Sequence, residues 1–508
     1  MSGPARSAVI DLGSNSVRMM VVEAERDGAW RVLDEERAIL RLGDALARKG
    51  ALAEDLARAQ YVFAALVARA RGLGAERIVA VGTAALRSAR DGAAFSAALG
   101  RAAHLQIRIL DGIEEAELGF LGAMHTLDVR DGNLVDVGGA SSEISYFATR
   151  RLRLAASATV GAVTLTRNAL HQDPPSKSEL EAARAAAAEA IRVAMPEPRR
   201  GLPLVALGGS FRSIAKMHIA QTAYSFPSLH NYHMPPAAIA DLEQRIVRLA
   251  LRQRLLVPGL AAHRAETAVA ALTLAQALCN HLQPSEIIVS GSGLREGMLF
   301  ERILPGGEEI PEDVFGPSIR NLLFQLGEEP DRDLIAWADE LFTALGPLLP
   351  QQEAPRLGRA AAQLRGIGRR VNFYDRHRHT FTLVTSARVF GLSHREQLVL
   401  AASAAYEGPR RTRDLLVAYG PLVDRGDVLL AQRIGLTVAY AEAMARQTPS
   451  ARPRISATIE PSRIELRING APKPPDIPFD EAARLAGQFG KAFGRKLVVR
   501  YTEDQQSV

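Results

Sequence analysis

A ten-residue phrase occurs twice in the first third of the chain. Residues 9–18 read VIDLGSNSVR and residues 134–143 read LVDVGGASSE, so the two copies lie 125 residues apart. In each copy an apolar run ends in Asp, a Gly lies two residues on, a Ser lies five residues on, and an alternating stretch follows. Each copy therefore predicts a strand, a tight glycine turn and a second strand.

The residue types in this phrase suit phosphate chemistry. Successive backbone N–H groups and serine hydroxyls of a glycine turn can bind phosphate oxygens. A carboxylate beside a phosphate is repelled unless a cation lies between them, so Asp11 and Asp136 indicate a hard divalent metal, Mg²⁺. Two such loops facing each other predict phosphoryl transfer. The alternative is a pair of ordinary hairpins, in which Gly and Ser serve only as turn residues.

Composition limits the class of protein. A chain of 508 residues predicts two to four domains, and 47% apolar residues without a membrane-length apolar run predict a globular protein with no membrane partner. The start, MSGPARS, leads directly into a strand without a secretory signal, which predicts a cytoplasmic location. The single Cys279 lies in an apolar helical stretch and predicts a packed, inert thiol.

Net charge gives weaker information. A charge of +6 favours an anionic partner, although an arginine-rich, lysine-poor composition also fits codon bias in a GC-rich genome. Nucleic-acid binding would rest on this total charge alone, and no nucleic-acid partner is expected.

Strands and helices alternate over the first 300 residues, which predicts an α/β layered core with ligand loops at the carboxyl ends of the strands. Glycine turns follow the predicted strands at 204–210 and 287–293. The segment 304–318 is rich in Pro, Gly and acidic residues and predicts a linker. Residues 319–446 have helical spacing with basic clusters at 365–379 and 410–413, and the remaining residues predict a small α+β domain.

Six segments together resemble one known family. In order and spacing, the chain is similar to the exopolyphosphatase / guanosine pentaphosphate phosphohydrolase family in VIDLGSNSVRMMV, GTAALRSA, DGIEEAELGFLGA, NLVDVGGASSEISYF, VALGGSFRSIAKM and SGSGLREGMLFE. The resemblance implies two ribonuclease H-like lobes of the actin, Hsp70 and sugar-kinase superfamily, with a cleft between them. These lobes would span 1–125 and 126–305, followed by a mostly helical HD-like domain at 316–450 and a small α+β domain at 451–508.

The same resemblance assigns roles to individual residues. Glu115 would be the catalytic general base, although Glu114 competes on chemistry alone, and both Glu can instead favour a helix N-terminus. Asp136 and Glu143 would bind Mg²⁺, or Mn²⁺ as the alternative, with Asp11 close by. Phosphate contacts would come from the two loops and three arginines: Gly13, Ser14, Asn15, Ser16, Arg18, Arg87, Gly138, Gly139, Ser141, Ser142 and Arg295.

Two departures from the family pattern carry expectations. The second loop has GGASS where the family has GGGST, so Ala140 restricts the backbone while Ser142 keeps a hydroxyl. The turn at Gly208, where superfamily kinases hold adenosine, is followed by bulky Phe211 and Arg212, which argues against ATP binding. The HD-like region contains no His-Asp dipeptide, so no second metal site is expected there, and its basic helices would guide a long polyanion or form a charged solvent face.

These features give a leading hypothesis and its rivals. The leading one is an Mg²⁺-dependent exopolyphosphatase that removes terminal phosphate from inorganic polyphosphate, acting as a homodimer. Hydrolysis of the 5′ γ-phosphate of pppGpp by the same residues is the nearest rival, and pppGpp and ppGpp are the alternative partners. A non-catalytic sensor of polyphosphate or an alarmone is disfavoured by the retained carboxylates. An ATP-dependent sugar or acid kinase is disfavoured by the missing adenosine loop.

Overall fold

The computed structural model of the chain describes residues 4–473 and 481–502. These residues form two compact units, one made of residues 4–223 and 228–314 and the other of residues 224–227, 315–473 and 481–502. Each unit has an apolar core of its own. The segment 224–227 belongs to the second unit because the Phe226 ring stacks on His394, with 4.3 Å between ring centroids.

The first unit contains two mixed sheets. The first sheet has the order β3-β2-β1-β4-β5, in which β1, β2 and β3 are antiparallel while β4 and β5 run parallel to β1. Its central strand, β1, is buried from Ser7 to Ile10, and the apolar residues 8–10 lead directly to Asp11. Its strands are β1 (Ala5–Leu12), β2 (Ser16–Ala24), β3 (Trp30–Ile39), β4 (Arg77–Gly82) and β5 (Ile107–Ile109).

The second sheet repeats this topology. Its order is β10-β11-β9-β6-β7-β8, with β6, β7 and β8 antiparallel and with β9 and β11 continuing parallel from β6. Only the antiparallel edge strand β10 is additional. The mixed α/β architecture predicted from the sequence is confirmed. The strands are β6 (Gly132–Val137), β7 (Ser142–Ala148), β8 (Arg151–Ala158), β9 (Leu204–Leu207), β10 (Tyr232–Met234) and β11 (Ile287–Val289).

Helices cover these sheets, and two of them begin earlier than the sequence pattern predicted. The helix expected from Glu114 begins at Gly112, because the Asp111 side chain caps it. The glycine turn expected at Gly208 is the first turn of a helix. The helices are α1 (Leu42–Lys49), α2 (Leu56–Gly72), α3 (Ala84–Ser88), α4 (Gly92–Ala103), α5 (Gly112–Met124), α6 (Ala162–Ala169), α7 (Lys177–Ala194), α8 (Gly208–Ile219), α9 (Ala237–Ile246), α10 (Leu251–Arg254), α11 (Ala268–Leu282) and α12 (Leu294–Arg302).

The second unit is helical and ends in a small sheet of order β12-β13-β14. The predicted linker ends earlier than expected, because α13 begins at Phe315 and tolerates Pro317 in its first turn. The single helix expected over 480–493 is two short helices separated at Gly487, and residue 480 lies outside the described residues. That this unit is HD-like stays a prediction. Its elements are α13 (Phe315–Leu326), α14 (Arg332–Ala344), α15 (Glu353–Leu364), α16 (Arg376–Ser386), α17 (His394–Ala404), α18 (Pro409–Leu416), α19 (Arg425–Gln447), β12 (Arg454–Ile459), β13 (Arg463–Asn469), α20 (Glu481–Ala486), α21 (Phe489–Phe493) and β14 (Lys496–Tyr501).

The sequence places Arg365 among the basic residues that would guide a polyanion. Its burial in the structure contradicts that role. The residue is 5% exposed, and its guanidinium donates to Glu442 at 2.9 Å and to the carbonyl oxygens of Ala404 and Tyr406. A buried guanidinium with its donors used in this way ties helices together and is not available to a polymer. Arg410 in the second cluster does point outward, with 88% of its side chain exposed.

His377 is buried beside this arginine. Burial and, to a smaller extent, the positive charges of Arg365 and Arg376 lower the pKa of His377 to about 3, whereas Glu442 opposes them. The Glu407 carboxylate lies 3.3 Å from Nε2, but Glu407 also pairs with Arg411. The folded unit therefore holds His377 neutral at a pH where the unfolded chain would protonate it.

Acid should destabilise the second unit through His377. The unfolded state takes up the proton as pH falls below about 6.5, and the folded state resists it, so stability is lost as pH decreases. Between pH 7 and pH 4 we expect a loss on the order of 3 kcal/mol, which His377→Gln removes. Urea unfolding followed by Trp337 fluorescence in a Trp30→Phe background measures this, since Trp337 is fully buried in the second unit. His379→Gln, on the same helix, is the control, and equal pH dependence in both variants would contradict the prediction.

Among the described residues, no helix is both long enough and apolar enough to span a membrane.

Candidate active site

The two predicted hairpins have the same turn geometry. In the first, the Gly13 N–H donates to the Ser16 carbonyl oxygen at 3.1 Å, and in the second the Gly138 N–H donates to the Ser141 carbonyl oxygen at 3.0 Å. The strand registers also correspond, because Asp11 pairs with Arg18 and Asp136 pairs with Glu143. The sequence repeat is therefore a structural repeat of strand, turn and strand.

The two turns meet at Ser14. A Cβ added to Gly139 in the second turn would lie 3.1 Å from the Ser14 Cβ, and one added to Gly43 at the start of α1 would lie 3.3 Å from the same atom. Because such a close approach leaves little room for a side chain, these glycines let the two loops face each other across one cleft. The cleft is where the predicted phosphate loops converge.

Most of the predicted site residues line this cleft. Two do not. The hydroxyl of Ser142 donates to the Val160 carbonyl oxygen at 2.6 Å and stabilises the fold, and Arg87 lies behind the catalytic candidate. The predicted residues in the cleft wall are Asp11, Gly13, Ser14, Asn15, Ser16, Arg18, Glu115, Asp136, Gly138, Gly139, Ser141, Glu143 and Arg295.

The geometry separates the two adjacent glutamates at the start of α5. Glu114 accepts a hydrogen bond from the Asp111 N–H at 2.8 Å in a capping box and also pairs with Arg108. Glu115 faces the cleft, where its Oε2 accepts a hydrogen bond from Arg87 at 3.1 Å. Arg87 in turn donates to the Leu110 carbonyl oxygen at 2.7 Å, which fixes its guanidinium. Glu115 is the glutamate placed for chemistry, and its general-base role stays a proposal.

Four carboxylates with raised pKa values line the cleft. Burial raises the pKa of Glu115 well above its ordinary value, and the neighbouring Glu143 charge adds to this, while Arg87 opposes it. Burial also raises the pKa of Glu143 to about 7, against hydrogen bonds from Ser141 and Ser157. The pKa values of Asp11 and Asp136 are raised chiefly by burial as well. Clustered acids that resist ionisation in this way are typical of functional sites.

The donor set of the cleft fits a hard cation. The Asp11 Oδ1 atom is buried and has no hydrogen-bond partner among the described residues. An added Cβ at Gly208 would lie 2.1 Å from the Asp136 Oδ1, so glycine with φ of +78° lets that carboxylate rest against the start of α8. In the described part of the chain, no three His, Cys, Asp or Glu side chains form a complete metal site. Mg²⁺ commonly takes one or two carboxylates and completes its shell with water and substrate phosphate, which this arrangement allows.

Three cleft arginines, Arg41, Arg212 and Arg264, were not predicted as site residues. Burial, together with the positive charge of Arg18, lowers the pKa values of Arg212 and Arg264 to about 10. An added Cβ at Gly209 would lie 2.1 Å from the Arg264 Nη2, so the guanidinium covers the first turn of α8. Arg212 was interpreted only as a bulky block to ATP, and no sequence signal pointed to Arg264. Phe211, the other residue predicted to hinder ATP binding, is fully buried in the core.

The arrangement favours an anionic ligand. Three guanidinium groups, Arg18, Arg212 and Arg264, face one another around the wall, and like charges held together destabilise the free protein. A polyanion would relieve this repulsion, since guanidinium forks suit phosphate oxygens. Carboxylates and guanidinium groups thus line the cleft together.

Comparisons of sequence and fold with known proteins identify relatives of this chain. The sequence profile of the Ppx/GppA phosphatase family matches residues 21–305. Exopolyphosphatase 2 of Mycobacterium tuberculosis is 28% identical over 314 residues, which cover 58% of this chain and 97% of that protein. The Aquifex aeolicus PPX-GPPA enzyme has a TM-score of 0.51 at 24% identity and covers 58% of this chain and 99% of its own. An exopolyphosphatase from Cytophaga hutchinsonii has a TM-score of 0.53 at 23% identity and covers 58% of this chain and 96% of its own.

The family match covers more than half of the chain and includes the second hairpin together with Glu115. The solved structures share the fold of the same region. The chain belongs to the Ppx/GppA phosphatase family and is a phosphohydrolase.

Proposed function

We propose that this phosphohydrolase is an exopolyphosphatase, which hydrolyses the terminal phosphoanhydride of inorganic polyphosphate. The observation that carries the proposal is that two phosphate-type turns meet in a cleft whose wall also holds several arginines. Arg18, Arg212 and Arg264 together suit a ligand that carries several phosphates in a row. The family relationship to proteins named exopolyphosphatase supports the same substrate.

The reaction can be derived from the residues of the cleft. Backbone N–H groups of the two turns hold oxygens of the terminal phosphate. A water molecule attacks this phosphorus while Glu115 accepts its proton, and the bond from phosphorus to the bridging oxygen breaks. Orthophosphate leaves with the water oxygen, and the shortened chain keeps the bridging oxygen. Arg87 opposes the effect of burial on the pKa of Glu115, because a neighbouring cation favours the charged form that can accept a proton.

Asp136 and Glu143 would hold Mg²⁺ or Mn²⁺ in this proposal, with Asp11 bound to it through water. The cation would neutralise phosphate charge beside these carboxylates. The same groups would otherwise repel the substrate, since both side chains line the cleft beside the phosphate loops. Burial raises the pKa of both carboxylates, and a bound cation would favour their ionised forms.

The substrate is tested by phosphate release from long-chain polyphosphate, pppGpp and ATP, each with Mg²⁺. We expect polyphosphate to have the highest kcat/KM and ATP the lowest, because Arg212 and Arg264 cover the start of α8 where an adenosine would lie. The Glu115→Gln protein, assayed in parallel, controls for contaminating phosphatase. A higher kcat/KM for pppGpp would replace the proposal with its nearest rival. Binding without any release would favour a sensor. The homodimer stays a prediction.

A further inference from the structure

Ser157 contacts the Glu143 carboxylate from the neighbouring strand. In the register of β7 and β8, Ser157 lies directly opposite Glu143. Its hydroxyl donates to the Glu143 Oε1 at 3.0 Å. Glu143 is 2% exposed, and the second side chain that hydrogen-bonds to it is Ser141, another neutral hydroxyl. The orientation of this buried acid therefore depends on two serine hydroxyls, one in the phosphate loop and one on β8.

The same serine also supports the helix that carries Glu115. An added Cβ at Gly112, the first residue of α5, would lie 2.4 Å from the Ser157 Cβ and 2.7 Å from its Oγ. Only glycine allows the helix start to rest this closely on the strand. Glu115 follows three residues later, within the first turn of α5. The Ser157 side chain thus contacts both Glu143, the candidate metal ligand, and the N-terminus of α5, the helix that carries the candidate general base.

From these contacts we infer that Ser157 is a positioning residue. It orients the Glu143 carboxylate toward the cation, and it fixes the position of the N-terminus of α5, the helix that carries Glu115. The inference rests on the proposed function, because that function gives Glu143 and Glu115 their roles. Nothing in the sequence marks Ser157, since it lies on an edge strand outside the repeated phrase. Its register opposite Glu143 and its contact with Gly112 identify it.

Two substitutions separate the two contacts. Ser157→Ala keeps the Cβ that packs against Gly112 and removes the hydroxyl, so it should weaken metal binding while α5 stays in place. Loss of a hydrogen bond to a metal-binding carboxylate typically costs about 10- to 100-fold in metal affinity. Gly112→Ala keeps the hydroxyl and displaces the helix start, so it should lower kcat more than it lowers metal affinity.

The test uses the full chain and measures Mn²⁺ binding by electron paramagnetic resonance without substrate, together with kcat and KM. For Ser157→Ala we expect a Mn²⁺ dissociation constant that is at least roughly tenfold higher than that of the wild type. Ser145→Ala is the matched control, because Ser145 is a fully buried hydroxyl on β7 that makes no hydrogen bond to Glu143. Thermal unfolding of each variant confirms that the proteins compared are folded.

The inference would be overturned if the wild type, Ser157→Ala and Ser145→Ala bound Mn²⁺ with equal affinity. It would also be overturned if none of the three proteins bound Mn²⁺. An equal loss in both serine variants would also overturn it, since the effect would then come from the sheet in general. Absence of phosphate release by a wild type that binds Mn²⁺ contradicts the proposed function alone. In that case, weaker binding by Ser157→Ala still supports the contact with Glu143.

Discussion

Glu115→Gln is expected to abolish turnover and leave polyphosphate binding nearly intact. The amide keeps the shape of the side chain and can still contact Arg87, but it cannot accept a proton from water. Loss of a general base lowers the rate by roughly 10²- to 10⁴-fold. Removal of a buried negative charge beside the phosphate should also strengthen substrate binding slightly. Single-turnover phosphate release gives the rate, and binding of labelled polyphosphate at equilibrium gives the affinity.

Glu114→Gln is the matched control for this experiment. Glu114 is the preceding residue, and its carboxylate accepts from the Asp111 backbone and pairs with Arg108 outside the cleft. Its replacement should cost about 1 kcal/mol of stability through the weakened helix cap and leave kcat within about twofold. If Glu114→Gln lost activity and Glu115→Gln kept it, the assignment of the two glutamates would be reversed. Turnover by Glu115→Gln within a few-fold of wild type would exclude it as the base.

Asp136→Asn should have opposite effects on activity and on stability. Without a cation, Asp136 is a partly buried carboxylate whose pKa is raised by burial, so its ionised form destabilises the fold at neutral pH. The amide removes that charge, and the variant in chelator should unfold at a higher temperature than wild type. Because Asn is a poorer ligand for a hard cation, the Mg²⁺ concentration needed for half-maximal activity should rise at least roughly tenfold.

The two effects are measured by thermal unfolding with and without Mg²⁺ and by activity over a Mg²⁺ titration. Mg²⁺ should stabilise wild type, since a ligand that binds only the folded state raises its unfolding temperature, and this gain should shrink in Asp136→Asn. Glu143→Gln should behave in the same direction. Full activity of wild type in excess chelator would contradict a metal-binding role for the whole site. Lower stability of Asp136→Asn in chelator would contradict the electrostatic argument.

The sequence was sufficient for the parts of the site that lie within a few residues of one another. Alternating apolar residues and a glycine turn define each hairpin locally, so Asp11 and Asp136 could be placed at strand ends before the structure was known. Glu115 needed the family register, because both glutamates lie in the first turn of α5 and the sequence did not show that Glu114 is held by Asp111 and Arg108. The mixed α/β order followed from the alternation of strands and helices.

What the sequence could not provide depends on contacts between distant segments. Arg264 follows no motif and reaches the cleft only because Gly209, far from it in the chain, leaves room for its guanidinium. Phe211 and Arg212 are neighbours in sequence, but a helix directs one into the core and the other into the cleft. Nothing in the sequence distinguishes Arg365 from the other arginines. In the structure, its burial against Glu442 distinguishes it from the exposed arginines.

The repeated hairpins give the cleft a direction. Their backbones correspond residue for residue, yet Asp11 faces an arginine where Asp136 faces a glutamate. A linear polyphosphate has two identical ends and no direction of its own. In a cleft with equal halves, either end could lie on either side. The exchange of one charge pairs an acid with an arginine in one hairpin and two acids in the other, so under the proposed function a polyphosphate would meet different charges at the two hairpins.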